Sequence, residues 1–139
     1  MDAQVIDTSA TLGFLLPDEQ DAISKQALAN IGNGVPSWVP VHWPVELANA
    51  LLMAERRKRI SRVEAHGLLK AALALPLTTD EETTRRLVDE TSSLARQFGL
   101  TIYDAAYLEL AMRRNATLAT TDRDLAKAAK DAGVKVLKG

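Results

Sequence analysis

The feature that most constrains the fold is the alternation of short apolar runs with longer segments of helical periodicity. Residues 3–7 and 116–119 are mostly apolar, which is typical of strands buried on both faces of a parallel sheet. Residues 47–54 instead place apolar side chains at i, i+3, i+4 and i+7, the pattern of a helix with one buried face. The alternation predicts a three-layer α/β/α domain with a mostly parallel central sheet.

Proline and glycine set most of the predicted boundaries. Pro44 favours the start of a helix, and Gly99 and Gly133 favour helix ends. The predicted strands are 3–7, 35–39, 75–78, 116–119 and 134–137. The predicted helices are 11–16, 18–31 with an acidic first turn, 44–57, 61–74, 81–98, 104–114 and 122–132. With 139 residues, the chain is expected to form a single domain over 1–139.

The composition excludes several classes of site. Seventeen basic and 18 acidic residues give a net charge of −1, so a nucleic-acid partner would have to be held by a local patch or through bound metal. The absence of cysteine excludes disulfides, thiolate zinc sites and cysteine nucleophiles, and it suits the cytoplasm. We expect no signal peptide and no membrane segment, since no apolar run approaches about 20 residues.

Four acids occupy positions at which functional sites form. Asp7 follows the first predicted strand and Asp122 follows the strand 116–119, while Asp104 and Glu46 lie at the starts of two helices. In an open parallel sheet, the carboxyl ends of the strands and the helix N-termini meet at one crevice. We therefore expect these carboxylates to converge from distant parts of the sequence.

Each of these acids also has a purely structural interpretation. Thr101 with Asp104, and Thr121 with Asp124, fit the pattern of a helix cap. Asp7 has the position of an N-cap residue before Ala10, and an acid in the first turn of a helix is stabilised by the helix dipole. Capping alone does not explain why an acid directly follows a buried strand, so both interpretations stay open.

Four segments carry a resemblance to a known family. They are V-I-D-T-S-A at 5–10, V-E-L-A-N-A-L at 45–51, L-T-I-Y-D-A-A-Y-L-E-L-A at 100–111 and L-A-T-T-D-R-D-L at 118–125. In order and spacing the sequence resembles the PIN-domain ribonucleases, and within them the VapC toxins of toxin–antitoxin pairs. The resemblance covers essentially the whole chain.

The resemblance implies a set of functional residues and partners. The metal-coordinating and catalytic acids would be Asp7, Glu46, Asp104 and Asp122. Thr120 would orient the cluster and Asp124 would be auxiliary. It further implies a parallel sheet, an RNA substrate, a homodimer and a cognate antitoxin protein. Separately, helical spacing puts Asn49 one turn from Glu46, where it would border the site.

Oxygen ligands without cysteine favour Mg²⁺ or Mn²⁺. We therefore expect a Mg²⁺- or Mn²⁺-dependent endoribonuclease that hydrolyses RNA phosphodiester bonds and, as the toxin of such a pair, blocks translation and growth. By analogy the products carry a 3′-hydroxyl and a 5′-phosphate. Arg56, Arg57 and Arg59 follow the helix that carries Glu46, and they either contact phosphate or form a solvated helix end.

Other functions remain as alternatives at this stage. Two alternatives to the toxin interpretation are a PIN-like nuclease in RNA or DNA processing unrelated to toxicity and a non-catalytic interaction module. A phosphoryl-transfer domain of the receiver or dehalogenase type fits poorly. Phosphatases of the dehalogenase type have a second aspartate two residues after the first, where this chain has Ser9. Receivers need an acidic pair at the first strand, where only Asp7 is present.

Overall fold

Four short parallel strands form the centre of the protein in a computed structural model that describes residues 2–139. The strand order is β3-β2-β1-β4, so both central strands pair in parallel with their neighbours. The strands are β1 (Gln4–Ile6), β2 (Ser37–Pro40), β3 (Thr78–Asp80) and β4 (Thr117–Ala119). The prediction of a mostly parallel central sheet is confirmed.

Helices cover the sheet and connect its strands. They are α1 (Thr8–Leu15), α2 (Ala22–Gly32), α3 (Trp43–Arg56), α4 (Arg62–Leu73), α5 (Thr83–Arg86), α6 (Ser92–Phe98), α7 (Ile102–Arg113) and α8 (Arg123–Asp131), with a π-helical turn at Leu87–Thr91 between α5 and α6. Within residues 2–139, no helix has the length and apolar character needed to cross a membrane.

Adjacent residues on the paired strands β1 and β4 point into two different hydrophobic cores. Val5 and Leu118 belong to the larger core, which also contains the buried residues of α3 and α7. Ile6 and Ala119, the next residue on each strand, belong to a smaller core with α1 and α2. Because side chains alternate across a strand, apolar residues in succession require a covered face on each side. The three-layer α/β/α prediction is confirmed.

The carboxyl ends of the strands gather the polar residues at one edge of the sheet. Asp7 follows β1 directly, Thr120 follows β4, and Asp80 is the last residue of β3. Helices α1 and α8 begin immediately after Asp7 and Asp122, which are their N-cap residues. The edge therefore combines buried polar groups with helix N-termini.

Two predicted elements at the ends of the chain are wrong in detail. Residues 134–137 do not form a strand; they make one isolated bridge, Leu118 with Val136, through two backbone hydrogen bonds to Leu118. The helix predicted over 18–31 begins only at Ala22, where the Asp21 carboxylate accepts a hydrogen bond from the backbone N–H of Ser24 at 2.8 Å.

Two further predictions needed correction in the middle of the chain. The strand predicted over 75–78 lies at Thr78–Asp80 instead, since Pro76 cannot donate to a sheet ladder. The helix predicted over 81–98 is broken by the π-helical turn, where the Ser92 hydroxyl donates to the carbonyl of Leu87 at 2.5 Å. The Gly99 end is confirmed, and its φ of 64° is a conformation that glycine adopts readily.

Candidate active site

Asp7 is buried at the carboxyl end of β1 and its carboxylate is held by three donors. Its Oδ1 accepts hydrogen bonds from the Ser9 hydroxyl at 2.7 Å and the Ala10 backbone N–H at 2.8 Å. Its Oδ2 accepts from the Thr120 hydroxyl at 2.5 Å. Burial nevertheless raises the pKa of Asp7 from 3.8 to about 6, against the lowering effect of these donors.

Thr120 connects the ends of β4 and β1 at this edge. Besides donating to Asp7, its hydroxyl accepts a hydrogen bond from the backbone N–H of Asp122 at 3.0 Å. The Ser9 hydroxyl accepts from the backbone N–H of Thr121 at 3.0 Å, which ties the start of α1 to the start of α8. Thr120 therefore fixes the carboxylate of Asp7 and the loop that presents Asp122.

Glu46 is oriented by two hydroxyl groups from other elements. Its Oε1 accepts a hydrogen bond from the buried hydroxyl of Tyr107 at 2.7 Å and another from Thr8 at 3.2 Å. His42, one turn before Glu46 on the same helix, places its Nε2 3.4 Å from that oxygen. Burial, followed by the charge of Glu46, raises the pKa of Tyr107 well above its usual range, so the phenol stays a donor.

Asp104 is partly buried in the first turn of α7, whose N-terminus is capped by the Thr101 hydroxyl. Among residues 2–139, no group donates a hydrogen bond to its carboxylate. Burial raises the pKa of Asp104 from 3.8 to about 6, with further contributions from three neighbouring carboxylates, Asp122, Glu46 and Asp124. Asp104 is thus the electrostatic centre of the acidic cluster.

The remaining acids lie at the N-terminus of α8. Asp122 is exposed, and its Oδ1 accepts a hydrogen bond from the backbone N–H of Leu125 at 2.9 Å. Asp124 is in the first turn of the same helix and is exposed. Asp7 also interacts electrostatically with Asp104. The structure therefore brings all four acids singled out from the sequence, together with Asp124, into one electrostatic group.

The donor set of this group fits a hard divalent cation, since it consists of carboxylate oxygens that repel one another without a counterion. Within residues 2–139, however, no three His, Asp or Glu side chains are arranged so that they could hold a metal ion as they stand. An ion would have to draw the carboxylates together. The Asp104 carboxylate accepts no hydrogen bond from the described residues, so it can turn without breaking one, unlike the carboxylates of Asp7, Glu46 and Asp122.

Asn49 is exposed on α3, three residues after Glu46. It lines a pocket of about 380 Å³ beside Glu46. The other residues of this pocket are His42, Val45, Glu46 and Tyr103. Asn49 therefore borders the approach to Glu46 without being part of the carboxylate cluster.

The three arginines after α3 lie in different environments. Arg56 and Arg57 are exposed at the end of the helix. The guanidinium of Arg59 instead donates to Asp18 at 2.8 and 2.9 Å and to Glu19 at 2.8 Å. The acids predicted to form the first turn of α2 thus pair with Arg59, and a phosphate would have to compete with them for this side chain.

The sequence reasoning did not identify several residues that shape the site. Thr8 and His42 both contact Glu46. Tyr107 donates a hydrogen bond to Glu46, and it lies three residues after Asp104 on the same face of α7. The helical spacing of Tyr107 was a usable signal, whereas nothing local in the sequence connects Thr8 with Glu46. A groove of about 460 Å³ bordering Thr120 and Asp122 was also not foreseen, and its basic lining residues are Arg123, Lys130 and Lys138.

Comparison with known proteins identifies relatives over almost the whole chain. Residues 5–131 match the PIN domain family. The sequence is 27% identical over 123 residues to Ribonuclease VapC3 from Pyrobaculum aerophilum, which covers 88% of this chain and 92% of that protein.

Solved structures share the fold at lower identity. PAE2754 from Pyrobaculum aerophilum aligns with a TM-score of 0.71 and 24% identity over 92% of this chain and 85% of that one. VapC20 from Mycobacterium tuberculosis, a sarcin-ricin loop cleaving toxin, aligns with a TM-score of 0.63 and 19% identity over 98% and 100%. FitAcB from Neisseria gonorrhoeae aligns with a TM-score of 0.62 and 16% identity over 97% and 96%. The resemblance seen in the sequence is confirmed, and the chain belongs to the PIN-domain family.

Proposed function

We propose that this protein is a divalent-cation-dependent endoribonuclease and the toxin of a toxin–antitoxin pair. One observation carries the proposal: the partly buried Asp104 carboxylate accepts no hydrogen bond and faces the charges of three other acids. Such an arrangement is costly unless a cation binds there. The similarity to Ribonuclease VapC3 supports RNA as the substrate.

The proposed cation ligands are Asp7, Glu46, Asp104 and Asp122, and the proposed cation is Mg²⁺ or Mn²⁺. When bound, such a cation supplies Lewis-acid activation of water and of the phosphodiester. The protein supplies the orientation. Thr120 holds Asp7 in position, and Tyr107 with Thr8 holds Glu46.

Asp104 lies in the first turn of α7 and Asp122 is the N-cap residue of α8. The charge of Asp122 acts on Asp104, so we assign both carboxylates to the same part of the site, beside these helix N-termini. The partial positive charge of these helix ends favours an anionic phosphodiester in that space. We propose Asp124, which is exposed in the first turn of α8, as an auxiliary acid at the outer border of the site. In-line hydrolysis would leave a 3′-hydroxyl and a 5′-phosphate.

The basic groove beside Asp122 is the favoured path for the RNA backbone. Arg123, Lys130 and Lys138 line it, and cationic side chains of this kind position phosphates without reading sequence. Arg56 and Arg57 are more distant candidates for phosphate contact, and Arg59 is the weakest because two carboxylates already occupy its donors.

The proposed partners follow from the toxin assignment. We propose a homodimer and a cognate antitoxin protein that suppresses cleavage, acting in the cytoplasm, where the RNA substrate is found. Exposed apolar side chains on α4 and the π-helical turn offer surfaces for such contacts: Val63 (81% exposed), Leu73 (53%) and Val88 (79%).

A cleavage assay tests the proposal directly. Purified protein is incubated with matched single-stranded RNA and DNA in Mg²⁺, Mn²⁺ or EDTA. We expect cleavage of RNA with either cation, none in EDTA and none by the Asp104→Asn variant. The matched control is Asp2→Asn, which changes an exposed acid before β1 and should cleave like the wild type.

Two outcomes would contradict the proposal. Undiminished cleavage in EDTA would remove the role of the cation. Cleavage of DNA at the same rate as RNA would favour the alternative of a general PIN-like nuclease. The toxin assignment is tested in bacteria: induction of the wild type should arrest growth, and induction of Asp104→Asn should not.

A further inference from the structure

Tyr103 is the most exposed of the six Phe, Trp and Tyr side chains, all of which lie within the described residues. It is 60% exposed, whereas Tyr107, Trp43 and Phe14 are buried and the other two are partly buried. Tyr103 directly precedes Asp104, so the exposed ring lies at the border of the acidic cluster. A tyrosine combines an apolar ring with a polar hydroxyl, and for this reason tyrosine is enriched at binding surfaces.

The ring forms one wall of the 380 Å³ pocket beside Glu46. The backbone carbonyl of Tyr103 accepts a hydrogen bond from Nε2 of His42 at 3.2 Å. The two rings are also in contact, with centroids 5.8 Å apart and an angle of 56° between their planes. Tyr103 is therefore held on a fixed helix end while its ring still has accessible surface.

The pocket also has polar lining residues. The exposed Asn49 lines it, and so does Glu46, which belongs to the acidic cluster. The carboxamide of Asn49 offers both donors and an acceptor. The pocket thus combines an aromatic wall, a hydrogen-bonding group and direct continuity with the candidate active site.

We propose that this pocket binds one nucleobase of single-stranded RNA next to the scissile phosphodiester. Tyr103 provides the stacking surface and the Asn49 amide bonds the edge of the base, so Asn49 influences which nucleotide is accepted. The inference rests on the proposed function, because it places the pocket beside the bond that is hydrolysed. Stacking on aromatic side chains and hydrogen bonding to exposed base edges are the usual means by which proteins recognise unpaired RNA.

A nucleobase fits these residues better than an apolar protein surface does. An apolar surface covering the pocket would bury the exposed Asn49 amide without hydrogen-bond partners and remove water from the charged Glu46 carboxylate, and both cost free energy. A base presents a π-face to Tyr103 and polar edge atoms to Asn49. The pocket volume also lies within the range of about 300–1,000 Å³ that small-molecule sites occupy.

RNA binding in EDTA tests the pocket without cleavage. The probe is a labelled single-stranded RNA of defined sequence, and its Kd is measured by fluorescence anisotropy. We expect Tyr103→Ala to weaken binding about tenfold, which is the effect expected when one base loses its aromatic stacking partner. Tyr103→Phe, which keeps the ring, should bind like the wild type. The matched control is Leu28→Ala, which truncates an exposed apolar residue on α2 that lies outside the pocket.

Abasic RNAs make the test specific to stacking. With the abasic nucleotide at the position that occupies the pocket, the difference between wild type and Tyr103→Ala should disappear. Unchanged RNA affinity of Tyr103→Ala would overturn the proposal. So would a weakened self-association of Tyr103→Ala in analytical ultracentrifugation without any effect on RNA, because the pocket would then be a protein contact.

Cleavage mapping separates this inference from the proposed function. In Mn²⁺ we expect Tyr103→Ala to raise KM more than it lowers kcat, and Asn49→Ala to broaden the nucleotide preference at the cleaved bond. A wild type that binds RNA through Tyr103 but cleaves nothing would support the pocket and refute the hydrolase. A wild type that cleaves RNA with a site profile that neither substitution alters would refute the pocket alone.

Discussion

Asp104→Asn should stabilise the protein in EDTA at neutral pH even though it abolishes cleavage. The folded state raises the pKa of this carboxyl from 3.8 to about 6. At about 1.4 kcal/mol per pKa unit, the ionised carboxylate would destabilise the folded state at pH 7 by about 3 kcal/mol if solvent did not screen it. Partial exposure screens this to roughly half, and the substitution also loses up to about 1 kcal/mol of helix-dipole stabilisation. The net expected gain is about 1 kcal/mol.

The pH dependence has a definite sign. A carboxyl whose folded pKa lies above its unfolded value destabilises the fold only once it ionises, so the penalty is absent below pH 3.8 and complete above about 6. Thermal unfolding in EDTA should therefore show a Tm for Asp104→Asn that is about 3 °C above wild type near neutral pH. The difference should shrink toward zero as the pH falls below about 5. A Tm equal to or below wild type near neutral pH, with Asp2→Asn unchanged, would refute this reasoning.

Three further predictions follow from other contacts. Thr120→Val removes the hydroxyl that donates to Asp7, so we expect the free energy of unfolding, measured by urea denaturation, to fall by about 1–3 kcal/mol. Thr120→Ser, which keeps a hydroxyl, should lose much less stability than Thr120→Val. Arg113→Met removes the guanidinium that lies 2.6 Å from the carboxylate of Asp80, a side chain that is 1% exposed. We expect the free energy of unfolding to fall by about 3–5 kcal/mol in the same assay. A fall below about 1 kcal/mol would show that this ion pair is replaceable. Finally, Asp7 and Asp104 both titrate near 6, so Mn²⁺ affinity measured by calorimetry should fall about tenfold or more per pH unit below that value; a flat pH profile would exclude them as ligands.

The sequence predicted those parts of the fold that depend on local pattern. Apolar pairs such as Val5 with Ile6 have a side chain in each core, and this is what a three-layer sheet requires. The same pattern put Asp7 at a strand end. The alternatives of cap and functional acid are compatible, since Asp7 caps α1 while its carboxylate belongs to the acidic cluster.

What the sequence could not predict depends on contacts between distant segments. Arg59 is paired with Asp18 and Glu19 about 40 residues away, so a basic run after a helix does not reveal which of its members remain available. Helix α7 is apolar around most of its circumference, and its pattern does not show that Tyr103 is exposed and Tyr107 buried, although they are one turn apart.

Direct observation of Mn²⁺ binding is the most decisive measurement, because a shared cation is the basis of the proposed hydrolysis. Electron paramagnetic resonance of Mn²⁺ titrated into the protein distinguishes free from bound ion without any RNA. We expect the wild type and Asp2→Asn to bind Mn²⁺, and Asp104→Asn and Glu46→Gln to lose most of that binding. Wild-type protein that leaves the Mn²⁺ signal unchanged, or carboxamide variants that bind as tightly as wild type, would contradict the account.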